Sequence, residues 1–267
     1  MRTFIQAYET IKQKVRVFSK YLRFDKLINK IGRKLALSPA EIISLAVFKQ
    51  ANGIAAKKAI YRMFEPDCSY KTLVVNMNRF AALALKIFLS LLQINRRHSH
   101  PIKHIDSTDI PVCLFKNAHA HKTMKGLSSF GRSSKGTFFG LKLHIISDLN
   151  KQLLSVRFAT GRIGDREMVM PLSKNLAGVF IADAGYISAR LSRAFYQEGR
   201  RILLAQPRKN MKKIITAFQN RLYGTRMMVE IHFRSLKLFH GLITSLPRSA
   251  SGYLANYIYS LLAYQLA

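Results

Sequence analysis

Acidic side chains are the scarce component of this sequence. Its 267 residues hold 13 Asp and Glu against 44 Lys and Arg, a formal net charge of +31. A chain with that surplus repels itself unless a polyanion neutralises it, which excludes cationic partners and points to nucleic acid. The surplus is not confined to a tail: residues 1–99 carry 19 basic and 5 acidic side chains, and residues 100–267 carry 25 and 8. Both parts are therefore expected to face phosphate; a generally basic, solvated surface is the blander alternative. Cysteine is nearly absent. Cys68 and Cys113 stand apart with no CxxC pair, which excludes a disulfide scaffold and suits a reducing compartment. Long apolar runs are missing too. The longest, 81–94 (broken by Lys86) and 253–267, fall short of the ~20 residues that cross a bilayer, so both are expected as buried helices with no membrane contact. Met1, Arg2, Thr3 and Phe4 show neither the apolar core nor the cleavage site of a signal peptide, and the expected location is the cytoplasm.

Residues 1–97 read as helical. From Phe4, the apolar positions Tyr8, Ile11, Val15, Phe18 and Leu22 recur at helical spacing with a basic outer face. Ser38, Pro39 and Glu41 then form a capping-box start for a helix running to Gln50. Asn52-Gly53 marks a turn, a third helix spans 55–64, and a fourth spans 70–92. Lys57, Lys58 and Arg62 on the third helix are compatible with a DNA-binding helix-turn-helix, and equally with an ordinary helical hairpin.

Residues 95–101 are polar, basic and end in Pro101, which places a domain boundary there, with domains 1–97 and 98–267. Beyond it the pattern changes to strands over 102–113, 137–148 and 152–160. Helix-like 165–176, strand-like 178–182, helix-like 188–198, strand-like 201–205 and a long helix over 225–239 follow. That order predicts an α/β (α+β) architecture: an RNase H-like mixed sheet flanked by helices, preceded by a small all-α domain. Three acids lie within or beside apolar stretches: Asp106 inside the first strand, Asp183 at the end of the strand 178–182, and Glu230 in Met-Met-Val-Glu-Ile-His-Phe. A lone carboxylate there is costly, so each needs a partner, a proton or a metal. In the proposed fold the three converge, and two Mg²⁺ or Mn²⁺ ions make their joint ionisation favourable for in-line displacement at phosphorus. Asp109 competes with Asp106, but strand alternation turns it to the other face and Pro111 follows closely. Asp165 and Glu167 read as a helix N-terminus.

The most informative local pattern is Tyr223-x2-Arg226-x3-Glu230-x6-Lys237. On one helix these four positions share an arc about 60° wide, joining a metal-binding acid to phosphate-binding cations. The spacing resembles the signature of the bacterial insertion-sequence transposases of the Asp-Asp-Glu (DDE) type, whose catalytic domain is RNase H-like. Asp183-Ala184-Gly185-Tyr186 and Asp106-Ser107-Thr108 resemble the elements around that family's second and first acids. The resemblance implies Asp106, Asp183 and Glu230 as catalytic metal ligands for two ions, with Tyr223, Arg226 and Lys237 contacting or positioning DNA. It further implies duplex DNA as substrate, cleavage followed by 3′-OH strand transfer, and nucleoid association when bound. Asp183 and Glu230 lie 47 residues apart, too close for the β-rich insertion some relatives carry.

Residues 116–136 read as a basic mobile loop in which Phe130 stacks on a base, or as a merely solvated one. Arg208, Lys209, Lys212 and Lys213, just ahead of the signature helix, are expected to touch the DNA backbone. A homodimer is expected because two DNA ends must be brought together. Three rivals stand beside this reading: an RNase H-fold nuclease or resolvase without strand transfer, a non-catalytic DNA-binding protein, and a zinc protein built on His98, His100, His104, His119, His121, Cys68 and Cys113.

Overall fold

The computed structural model describes residues 3–28, 34–133, 136–208, 210–211 and 214–266. The chain order opens with α1 (Phe4–Tyr21), α2 (Phe24–Leu27), α3 (Pro39–Ala51), α4 (Lys57–Phe64), α5 (Tyr70–Arg79) and α6 (Ala81–Arg97). It continues through β1 (Ile102–Pro111), β2 (Ser129–Ser133), β3 (Gly136–Asp148), β4 (Leu153–Thr160), α7 (Val169–Leu172), β5 (Val179–Ala182), α8 (Ala189–Gly199) and β6 (Ile202–Ala205). α9 (Ala217–Gly224), α10 (Met227–Leu238) and α11 (Ala250–Leu266) complete it. Packing divides the chain into two compact units, Met1–Leu91 with Arg234–Ala267, and Leu92–Phe233.

In the helical unit α3 is the hub. It starts where the sequence says: Ser38 Oγ accepts the Glu41 N–H at 3.3 Å, and Glu41 Oε2 accepts the Ser38 N–H at 3.0 Å. Every residue from Ile42 to Gln50 is buried, which forces neighbours onto all its sides. α11 is one of them: residues 234–267 group with the helices and not with the sheet. The reason is that α11 is apolar nearly all round, burying Tyr253, Tyr257, Tyr259, Leu261 and Leu262, so it must be enclosed. Gln50 Nε2 donates to Asn256 Oδ1 and Ser260 Oγ at 2.9 and 2.8 Å, and the Tyr259 hydroxyl donates to Met77 O at 2.7 Å. Helical periodicity shows that a face is buried, never against what.

Lys49 is the exception on this hub, an ammonium only 7% exposed. Burial, helped by the charge of Lys57, pulls it down from 10.5 to about 8. A base depressed on folding contributes stability only above its unfolded value, and loses it as pH falls through the folded one. Lys49→Met is therefore expected to be more stable than wild type at pH 7, by up to about 3 kcal/mol, with the gap closing between about pH 8 and 10.5. Urea denaturation across that range measures it.

The second unit carries a six-stranded mixed sheet with β1 between β3 (antiparallel) and β5 (parallel), and β6 parallel outside β5. β4 pairs with β3, giving the strand order β4-β3-β1-β5-β6 of the expected RNase H-like sheet. Alternation sends Phe180 and Ala182 to one face, where Ile105, Ile146, Leu172 and Phe195 pack, and Ile181 to the other, against Leu222 and Tyr223. Helices thus cover both faces.

Two local expectations change. Within 116–136, residues 129–133 form β2, paired with the start of the long β3, and Phe130 packs on Phe139 and Phe115 with centroids 5.1 and 5.9 Å away. The aromatic pairs and the unpaired length of β3 give that segment a partner the composition could not name. α9 was not expected, although Thr216 and Gln219 complete a capping box. It separates Tyr223 from the signature helix. No single helix among the described residues is long and apolar enough to cross a membrane; α5 and α6 reach that composition only jointly, across a 42° bend.

Candidate active site

β1 and β5 set the acids side by side. Their parallel register pairs Ile102 with Val179 and His104 with Ile181; carried on two residues, it brings Asp106 level with Asp183, on strands about 4.8 Å apart. Glu230 arrives from the first turn of α10. The three carboxylates meet on one guanidinium, Arg226, whose nitrogens lie 4.0 Å from Asp106, 3.1 Å from Asp183 and 2.9 Å from Glu230. Arg226 itself stands one residue ahead of α10, with the Val229 N–H donating to its carbonyl at 3.1 Å.

Asp106 is the most enclosed of the three acids, its side chain 20% exposed against 51% and 55% for Asp183 and Glu230. Burial pushes its carboxyl up to about 6, and the nearby charges of Asp183 and Asp165 push the same way; the Ser107 N–H (2.8 Å) and Arg226 oppose them. One cation is thus too little for the acids gathered here.

A further set of groups holds this centre. His104, fully buried and kept neutral by burial with its value near 4, bonds through Nε2 to Thr225 Oγ1 at 2.8 Å. The Thr225 hydroxyl donates its proton to Leu222 O at 2.6 Å, so His104 carries its proton on Nε2 and donates. The residue before Arg226 is thereby tied to β1. Asp165, a helix-terminal acid by its sequence context, accepts from Ser107 Oγ at 2.7 Å and from Lys142 Nζ at 3.1 Å. It is a fourth carboxylate in the surroundings of Asp106; only tertiary contact between β1, β3 and the turn at 165–168 shows it. Tyr186 is buried beside Asp106 and Asp165, and burial first, then their negative charge, raises its phenol well above the usual value. Arg166 Nε donates to Gly185 O at 2.8 Å, anchoring the turn that follows Asp183.

The remaining expected site residues are dispersed. Tyr223 is buried on α9, its hydroxyl 3.4 Å from Ala205 O; it packs β5 and β6 and does not share the Arg226–Glu230 face, because the chain turns at Gly224 and Thr225. Lys237 lies in the last turn of α10, half-buried and within the other compact unit. Arg208 is exposed beyond β6; Lys209, Lys212 and Lys213 lie outside the described residues. Asp109 stands opposite Lys142 on β1, outside the Arg226 ion pairs. Gly185 has no positive φ and an added Cβ there meets nothing within 4 Å, so the turn does not demand glycine.

Among the described residues no three His, Cys, Asp or Glu side chains are grouped to hold a metal ion. For the histidines the reason is packing: His119 and His121 lie against Phe130 and Phe139, and His100 Nδ1 accepts the Ile102 N–H at 3.0 Å. For the acids, the Arg226 guanidinium lies between them. The donor set itself, carboxylate oxygens only, suits a hard divalent cation once Arg226 moves aside.

Comparison with protein families matches residues 96–249 to the model of the transposase DDE domain. The chain belongs to the DDE transposase family. The match contains Asp106, Asp183, Arg226 and Glu230, and membership makes this a divalent-metal-dependent enzyme of DNA transposition with DNA as its partner. Neither curated proteins nor solved structures show a match to the transposase.

Proposed function

We propose that this transposase binds the ends of its mobile element, hydrolyses a phosphodiester there to free a 3′-OH, and directs that 3′-OH onto target DNA. The observation that carries the reading is the meeting of Asp106, Asp183 and Glu230 on Arg226. These three acids would hold the divalent ions, Mg²⁺ or Mn²⁺. Two such ions supply an activated oxygen nucleophile and Lewis-acid stabilisation of the leaving oxygen.

Arg226 neutralises the acids while no DNA is bound, and its fork then takes a phosphate of the strand being cut. His104 keeps it in reach of both tasks by holding Thr225. Lys142, already bonded to Asp165, offers a second cation beside the scissile group. Lys237, Arg208, Lys209, Lys212 and Lys213 add contacts to the DNA backbone, and Tyr223 serves by positioning β5 and β6. The helical unit contributes end recognition through α4, and two copies of the chain hold the two ends.

The test is incubation of the purified protein with a plasmid bearing the element and its flanks, in Mg²⁺ or Mn²⁺, comparing wild type with Glu230→Gln. Wild type is expected to nick at the ends and join them to a second plasmid, and Glu230→Gln to do neither. Equal cleavage by the two sinks the assignment. Cleavage by wild type without joining favours a nuclease.

A further inference from the structure

The helical unit contains a cavity of about 370 Å³ bounded by Lys49, Lys57 and Arg248, with no Asp or Glu among its walls. Among the described residues its basic groups have no counter-charge. Lys49 Nζ donates to Gln50 Oε1 and Lys57 Nζ to Asn78 Oδ1, each at 2.8 Å, and both acceptors are neutral amides. Lys49 is 7% exposed, so its ammonium is held against a substantial desolvation cost with nothing ionic in return. Burial depresses both lysines, and Lys57 depresses Lys49 further.

Two helix starts open on the same space. Ala55, Ala56 and Lys57 line it at the beginning of α4, where no side chain caps the first-turn N–H groups. Ser249 and Gly252 line it at the beginning of α11, where Ser249 Oγ accepts the Gly252 N–H at 3.1 Å, so the free first-turn donors are those of α4. Helix N-termini present N–H donors and partial positive charge to anions. Beside them, Tyr70, Val74 and Leu246 supply an aromatic and aliphatic wall. The volume exceeds what an inorganic anion fills and lies in the range of small-ligand pockets.

We infer that this cavity is a phosphate-binding site which receives a nucleotide: the phosphate between Lys49, Lys57 and the start of α4, and its sugar or base against Tyr70 and Leu246. Its residues are separate from the acid cluster, and it stands whether or not the catalytic reading holds. The nucleotide comes either from a DNA strand or from solution, and the same chemistry serves both.

The experiment uses the full chain with inorganic phosphate, a deoxynucleoside monophosphate, and duplex DNA. Saturating phosphate or monophosphate is expected to raise the Tm by about 5 °C or more over chloride at equal ionic strength. The Lys49→Met/Lys57→Met double variant is expected to lose that increment. Should the double variant not fold, labelling of the wild-type chain with acetic anhydride decides: phosphate is expected to slow modification of Lys57 several-fold while leaving the exposed Lys58 on the same helix unchanged. If DNA is the source, the slope of log affinity for duplex against log salt falls by about 1 in the double variant. If free nucleotide is the source, that slope is unchanged while the Tm increment is still lost. Equal protection of Lys57 and Lys58, or a Tm increment undiminished in a folded double variant, overturns the inference.

Discussion

Asp106→Asn is expected to lower metal-dependent nicking by about 10³-fold, while Asp109→Asn, three residues along the same strand, stays within a few-fold of wild type. A carboxylate that binds a catalytic metal carries several kcal/mol of transition-state stabilisation, and ~1.4 kcal/mol is a factor of ten in rate. The two aspartates look alike in sequence. They differ in what they meet: Asp106 lies 4.0 Å from Arg226 with Asp183 and Glu230 on the same guanidinium, and Asp109 does not share it.

The substitution should not act through unfolding. Asp106 has its folded value raised to about 6, above the unfolded 3.8. An acid raised in this way favours the fold below its unfolded value, and that contribution is lost as pH rises through the folded one. Ionised at pH 7, it works against the metal-free fold, and Asn relieves it while still accepting the Ser107 N–H. Asp106→Asn is therefore expected to melt no lower than wild type at pH 7 in EDTA. Nicking rates and melting curves on both variants check the pair of statements. Wild-type activity in Asp106→Asn with loss in Asp109→Asn would move the first metal ligand to Asp109.

Gly178→Ala is expected to lower the Tm by about 10 °C. Gly178 adopts φ +107°, and a Cβ there would stand 2.2 Å from Pro101 O. That carbonyl accepts the Val179 N–H at 3.0 Å, and Gly178 O accepts the Ile202 N–H at 3.1 Å. The glycine thus joins the entries of β1, β5 and β6. Backbone strain of ~1–3 kcal/mol adds to the displaced hydrogen bond, ~1 kcal/mol, and to the clash itself; a chain of this size loses roughly 2–4 °C per kcal/mol. Activity falls with it, because the same register brings Asp106 level with Asp183. Gly185→Ala is the control, with open space around its Cβ. A Gly178→Ala melting point within about 2 °C of wild type, against that spread, would show the junction to be pliable.

The difference between these two glycines was invisible in the sequence. Gly185 sits in a motif that resembles a family element; Gly178 merely precedes an apolar run. Crowding by Pro101, 77 residues away in the chain, makes Gly178 the one that matters. Tyr223 teaches the same lesson from the other side. Its place in a spaced motif put it on the Arg226–Glu230 face, yet a capped helix ends between them and turns the phenol inward.

By itself the sequence determined the polyanionic partner, the three acids placed beside apolar segments, the helical beginning and the order of the later strands. These follow from charge balance, from the cost of carboxylates in apolar segments, and from periodicities of 2 and 3.6 that are local properties of the chain. Only the tertiary structure decided which groups meet. It made Arg226 the cation shared by all three acids, brought Asp165 and His104 to their support, enclosed α11 with the first helices, and left Lys49 and Lys57 facing a cavity without an acid. The physical reason is that periodicity fixes the direction a side chain points, while its partner depends on strand register and helix packing between residues far apart in the chain.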